Sequence, residues 1–243
     1  MALQVSTIID LTNAGVTGYL AFRLYSAFVQ NPKSQTLKNF FYLYSMLAIA
    51  YIFLFVPRII ASDQTRFLGY SFAVGNCFFL IAAAFYGKII LFFTKPQWAK
   101  KFFVIFLILT GIGLVRAFYE PAKPFVDSTT GITNWNVDLA LGIYYGIMIL
   151  AILIPGIIFF LTRGIQAKTN HVVRIRSNTI AIGTILLIFT VITFYLANTE
   201  TLAILGDLFS VAALLTVFLG VIYHRPKPIP QIMPNNSLNN PKE

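Results

Sequence analysis

Two aspartates, Asp10 and Asp207, lie inside otherwise apolar runs of this sequence and are the residues best placed to do chemistry. An ionisable group in such a run must find a partner, so each marks a functional hypothesis. Asp10 shares a helical face with Ser6, Asn13 and Thr17, because steps of four, three and four residues return to one side of a helix. That polar stripe must face other helices or water, since lipid would strand its hydrogen-bonding groups. Asp10 and Asp207 each fall six or seven residues from one end of their runs, roughly 10 Å deep at 1.5 Å per residue.

Counter-charges are at hand. Arg58 and Arg116 fall at the same end of their own runs, and Tyr44, Tyr51 and Arg58 recur every seven residues on one face. With Asn76, these residues define an expected polar pocket for a small ligand or a proton: Asp10, Asn13, Tyr51, Arg58, Asn76, Arg116 and Asp207. The competing reading is structural. Arg58 and Arg116 would then snorkel to headgroups while each aspartate pairs with a neighbouring helix. Arg23 and Lys88 read as snorkelling cations at the opposite ends.

Several chemistries are set aside. Residues 201–223 contain no lysine, which excludes a retinal Schiff base there. Gly206-Asp207 matches only a fragment of the GxGD motif of intramembrane aspartyl proteases, with Asp10 as the sole available second carboxylate. His171 and His224 lie in polar segments, which argues against a histidine-built zinc site or Ser-His catalysis within the runs. There is no GxxxxGK[ST] loop. Pro96-Gln97 and Pro230-Gln231 fall outside the runs, so no PQ-loop transporter is indicated. No enzyme activity, metal or cofactor is expected.

Composition identifies what must position these residues. Of 243 residues, 58% are apolar and only 11% charged, with a mean hydropathy of +0.77. A soluble domain carries about 25% charged residues. The expected fold is therefore an all-α membrane protein spanning residues 1–223, with a disordered tail at 224–243 rich in Pro and Asn. Seven spans are expected at about 3–29, 37–60, 67–94, 102–119, 138–162, 176–197 and 201–223. The first is the least apolar, because Asp10, Asn13 and Arg23 interrupt it. The longest connection, 120–138, reads as a solvated loop or as a short hairpin or lid. Trp98, Trp135, Tyr119 and Tyr195 fall near span ends, as an interfacial belt would. Gly142 and Gly146 form a GxxxG, expected to pack within the bundle, and Pro155 predicts a kink in the same span.

Seven spans sort the charges. One side collects fourteen Lys and Arg against Glu243 alone, giving +13, and the other four against seven acids, giving −3. The positive-inside rule then sets the N-terminus outside and the C-terminus in the cytoplasm. The net +10 therefore reports orientation, and the basic loops face an anionic leaflet rather than nucleic acid. The single Cys77 precludes an intramolecular disulfide.

The plan resembles, in architecture only, the seven-helix sensor modules fused to bacterial histidine kinases and, more distantly, the seven-helix receptors. The resemblance implies a sensing role, and no residue is carried over from it. The expected function is a stand-alone sensor or receptor-like protein of the cell membrane, with a ligand site in its outer half. The basic loop at 163–176 would contact a cytoplasmic or membrane protein partner. A proton, cation or small-solute transporter or channel is the alternative, and an accessory subunit of a larger membrane complex the third.

Overall fold

A computed structural model describes residues 5–61, 63–126, 133–196 and 200–222. The Ser128–Gly131 turn signal and the tail beyond residue 223 lie outside these. Seven helices account for most of the chain: α1 Val5–Gln30, α2 Gln35–Ile60, α3 Thr65–Thr94, α4 Pro96–Tyr119, α5 Leu139–Gln166, α6 His171–Leu196 and α7 Glu200–Ile222. Two short strands, β1 Phe125–Val126 and β2 Thr133–Asn134, lie between α4 and α5. Among the described residues, α2 to α7 are long and apolar enough to cross a membrane. The chain is a helical membrane bundle with six such candidate spans. The polar residues Ser6, Thr7, Asp10, Asn13 and Thr17 keep α1 below them in hydropathy.

Helix ends follow capping rather than hydropathy. The side chain of Ser34 accepts from the Leu37 amide at the start of α2, and that of Asp138 accepts from Leu141 at the start of α5. Pro96 opens α4, where its missing N–H is no loss. The expected separators at 94–101 and 163–176 therefore shrink. α4 begins six residues before its predicted span, and α5 and α6 are joined by 167–170 alone, with Asn170 Oδ1 accepting from the Val173 amide. Charged residues are good helix formers, so a drop in hydropathy does not end a helix.

Short connections place consecutive helices side by side. In addition α3 meets α5, and α7 returns to α1, so α1, α2, α3, α5, α6 and α7 close a ring. α4 packs outside it, against α3 and more lightly against α5. Its outward face carries Ile105, Ile108, Ile112 and Val115, all exposed. A seam of exposed isoleucines at helical spacing suits hydrocarbon, not water. Inside the ring the most deeply buried large side chains include Tyr44, Tyr145, Phe40, Leu20, Leu24 and Leu54.

The connection after α4 is a hairpin, with Phe125 opposite Asn134 and Val126 opposite Thr133. Its second strand runs into a tight bend. Asn134 Oδ1 accepts from the Asn136 amide at 2.9 Å, and Asn136 takes a φ of 44°, a left-handed conformation that asparagine tolerates. The bend turns Trp135 into the protein, where it is buried.

Candidate functional site

The site grows from the polar stripe of α1. Ser6, Asp10, Asn13 and Thr17 are all buried, together with Thr7, so the predicted face looks into the bundle. Thr17 bonds back to the Asn13 carbonyl at 2.6 Å, the usual way a helical threonine satisfies itself. The other residues of the stripe reach further.

Asp10 Oδ2 meets Arg58 Nη1 at 2.6 Å, with both side chains 5% exposed or less. Arg58 reaches it because Tyr44, Tyr51 and Arg58 share the inward face of α2, and all three are buried. The other side of the guanidinium is covered by Trp135, whose ring centroid lies 4.5 Å from Cζ. Cation–π contacts of this kind are worth about 0.5–2 kcal/mol. Trp135 packs in turn on Phe72 of α3 at 4.6 Å. The hairpin is pinned from the other side, where Ser6 Oγ accepts from the Thr133 amide at 3.1 Å. Residues 133–135 of the connection therefore form a lid over Arg58, held by α1 and α3. Trp135 sits in the site, which corrects its expected place in an interfacial belt.

One turn inward from Asp10, Asn13 Nδ2 donates to Ser210 Oγ of α7 at 3.0 Å, and Ser210 donates to the Asp207 carbonyl at 2.8 Å. Asp207 itself is half-buried and lies within electrostatic reach of Asp10 and Arg58. Tyr51 faces Ser210 and is within reach of both carboxylates. Five of the seven expected residues thus converge where α1, α2 and α7 meet: Asp10, Asn13, Tyr51, Arg58 and Asp207. Two atoms in this junction are buried without a hydrogen-bond partner, Asn13 Oδ1 and Arg58 Nε.

The other two stand apart. Asn76 donates to the Phe72 carbonyl at 2.9 Å and accepts from the Tyr195 hydroxyl at 2.5 Å, so it ties α3 to α6 beside the junction. Tyr195 is accordingly a bundle residue and not part of a belt at the span ends. Arg116 lies on α4, outside the ring, half-exposed and paired with Glu120 at 2.6 Å. It cannot join Asp10 or Asp207 because α4 does not line the interior. Ser210 and Trp135 are the members that sequence reasoning missed. Ser210 carried a usable signal, being three residues from Asp207 on the same face. Trp135 carried none, since only the folded bend turns it inward.

Inward of the junction lies a cavity of about 120 Å³. Ser210 and Tyr51 contribute its polar edge, while Leu47, Phe79, Ala83, Ile149, Leu153 and Val191 are among its apolar walls. Two tyrosines line it further inward. Tyr44 donates to the Leu214 carbonyl at 2.7 Å, and the Tyr86 hydroxyl shares a 2.5 Å hydrogen bond with Thr184. Beyond them a separate crevice of about 380 Å³ is lined by Phe40, Ile89, Ile180 and Val221 together with Arg163 and Arg176. Arg176 also donates to the last carbonyls of α7, Gly220 and Val221. Among the described residues no group of three or more His, Cys, Asp or Glu is placed to hold a metal ion.

Compared with known proteins, the chain matches no protein-family profile, no curated protein and no solved structure.

Proposed function

We propose that this protein is a seven-helix sensor or receptor of the plasma membrane, with its N-terminus outside, and that a small, largely apolar ligand with one polar group occupies its central cavity. The single observation that carries the reading is the cavity's asymmetry. A polar junction in which Trp135 covers Arg58 stands at one end, and two hydrogen-bonded tyrosines stand at the other. A transporter would need the cavity to continue inward, and an accessory subunit would have no use for it. A volume of about 120 Å³ is close to the engineered apolar cavities of ~150 Å³ that take up benzene. The polar group of such a ligand would meet Ser210 and Tyr51. The basic crevice at the other end, beside the α5–α6 connection, would serve a cytoplasmic partner.

The seventh span rests on α1. Its 26 residues reach about 39 Å at 1.5 Å per residue, enough to cross a hydrocarbon core of about 30 Å. The polar stripe that lowers its hydropathy is turned into the ring, while Ile8, Leu11, Tyr19, Phe22 and Val29 face outward. Cysteines introduced one at a time into a Cys77→Ala background test the orientation. With Lys123→Cys, an impermeant maleimide should label intact cells. With Lys168→Cys, labelling should require permeabilisation. The reverse pattern overturns the topology.

The function is tested by a thermal-stability screen of small aromatic and aliphatic alcohols, amines and ketones on the purified full chain. A compound that binds should raise the midpoint of the wild type and of Arg116→Ala, whose side chain lies outside the ring. It should leave Ala83→Leu, which fills the cavity, unchanged. No response to any compound, or an equal response in Ala83→Leu, overturns the reading.

A further inference from the structure

The crevice that holds Arg163 and Arg176 is placed by the helix ends that form it. Thr36 and Val173 belong to the first turns of α2 and α6, and Phe93, Arg163 and Val221 to the last turns of α3, α5 and α7. A space of about 380 Å³ therefore lies at one end of the bundle, among five helices. That is within the range of about 300–1,000 Å³ usual for ligand sites. Its walls change character with depth. Phe160 lies about one turn deeper in α5 than Arg163, Ile180 one turn deeper in α6 than Arg176, and Ile89 one turn deeper in α3 than Phe93. All three deeper residues are buried and apolar.

Charge at this end has one sign. Arg176 donates through Nε and Nη2 to the Gly220 and Val221 carbonyls, which fixes its guanidinium at the end of α7. Arg163 is exposed, rests over the Phe159 ring of its own helix at 5.6 Å, and is paired with no carboxylate among the described residues. The described acids, Asp10, Asp63, Glu120, Asp138, Glu200 and Asp207, all fall at or near the opposite helix ends. An anion entering the crevice thus meets two guanidiniums and no described carboxylate.

We propose that this crevice binds one anionic phospholipid, its phosphate between Arg163 and Arg176 and the start of an acyl chain against Ile89, Phe160 and Ile180. Arginine suits phosphate because its planar fork of donors matches two oxygens at once. A free phosphate would leave the apolar walls uncovered, and an acidic peptide would press unsatisfied backbone groups against them. An amphiphile matches both halves. The inference rests on the proposed orientation, which sets this end at the anionic inner leaflet. Maleimide labelling tests that orientation separately, so the two can fail independently. The headgroup would stand beside the α5–α6 connection, where the cytoplasmic partner is placed.

The test uses the purified full chain in nanodiscs of equal parts phosphatidylcholine and phosphatidylglycerol, with native mass spectrometry counting the lipid retained on release. One phosphatidylglycerol per chain should be retained, preferred over phosphatidylcholine at least about ten-fold, as two arginines facing an anionic headgroup allow. Arg163→Gln, at an exposed position, should lower that preference about five-fold. Val173→Trp, also exposed, narrows the crevice without touching either arginine and should reduce the retained lipid. Lys168→Gln makes the same charge change on the connection outside the crevice and should behave as wild type. Millimolar inorganic phosphate should displace nothing. Four results overturn the proposal: equal retention of the two lipids, an equal loss in Lys168→Gln and Arg163→Gln, wild-type retention in Val173→Trp, or displacement by inorganic phosphate.

Discussion

Replacing Arg58 by Met in the otherwise intact protein is expected to lower its stability by about 3–5 kcal/mol, the usual cost of stranding one member of a buried ion pair. The size follows from what is left behind. Asp10, 4% exposed, would lose its only recorded ion-pair partner, and Trp135 would lose the cation it covers. Methionine replaces the side-chain volume, so packing loss is not the main contribution. Asp10→Asn should be milder, because a neutral amide can still accept from the guanidinium. The double variant Asp10→Leu/Arg58→Met should recover most of the loss, since replacing both partners of a buried pair with apolar residues is often neutral. A double-mutant cycle on denaturation midpoints reads the coupling directly. If the single Arg58 variant costs less than about 1 kcal/mol, the pair is exposed and peripheral, and the site as described does not exist.

The second large effect is expected where α6 and α7 touch. A Cβ on Gly183 would stand 2.8 Å from the Val217 nitrogen and 2.9 Å from the Ala213 carbonyl oxygen. The contact is reciprocal, because a Cβ on Gly220 would stand 3.0 Å from the Arg176 carbonyl oxygen and 3.1 Å from the Ile180 nitrogen. These neighbours are backbone, so relief requires the two helices to separate. Separation would pull Ser210 from Asn13 and the Gly220 and Val221 carbonyls from Arg176. Gly183→Val is therefore expected to cost at least the 1–3 kcal/mol of ordinary overpacking. Gly18→Ala and Gly146→Ala, where an added Cβ meets nothing within 4 Å, should be neutral or stabilising by up to about 1 kcal/mol through helix propensity. Comparing the midpoints of the three variants in the same nanodiscs checks this. Equal behaviour at Gly183 and Gly146 would remove the close α6–α7 contact.

The glycines show how the sequence misdirects. Gly142 and Gly146 form the recognisable GxxxG, yet only Gly142 lies close to another helix, where an added Cβ would be 3.3 Å from the Tyr195 carbonyl oxygen. Gly183 and Gly220 form no local pattern because each belongs to a different helix. A motif within one helix marks a smooth face, and the partner that uses such a face is chosen by the whole bundle.

The candidate site divides in the same way. Helical periodicity is local, so the inward stripe of Ser6, Asp10, Asn13 and Thr17 and the heptad of Tyr44, Tyr51 and Arg58 were legible in the residues themselves. So were six apolar helices capable of crossing a membrane, because hydrocarbon selects composition over windows of about twenty residues. The sequence by itself thus determined which faces are polar, how deep they lie and which helices carry them. Two arginines at equal depth were indistinguishable by any local measure. Only ring closure, which leaves α4 outside, gave Arg58 to Asp10 and left Arg116 to Glu120. The lid was likewise a tertiary decision, since the Asn134–Asn136 bend has no helical period and Trp135 acquires its role only where Arg58 and Phe72 await it. Pairing between elements is a long-range property set by the simultaneous burial of every face, and no window of the chain contains it.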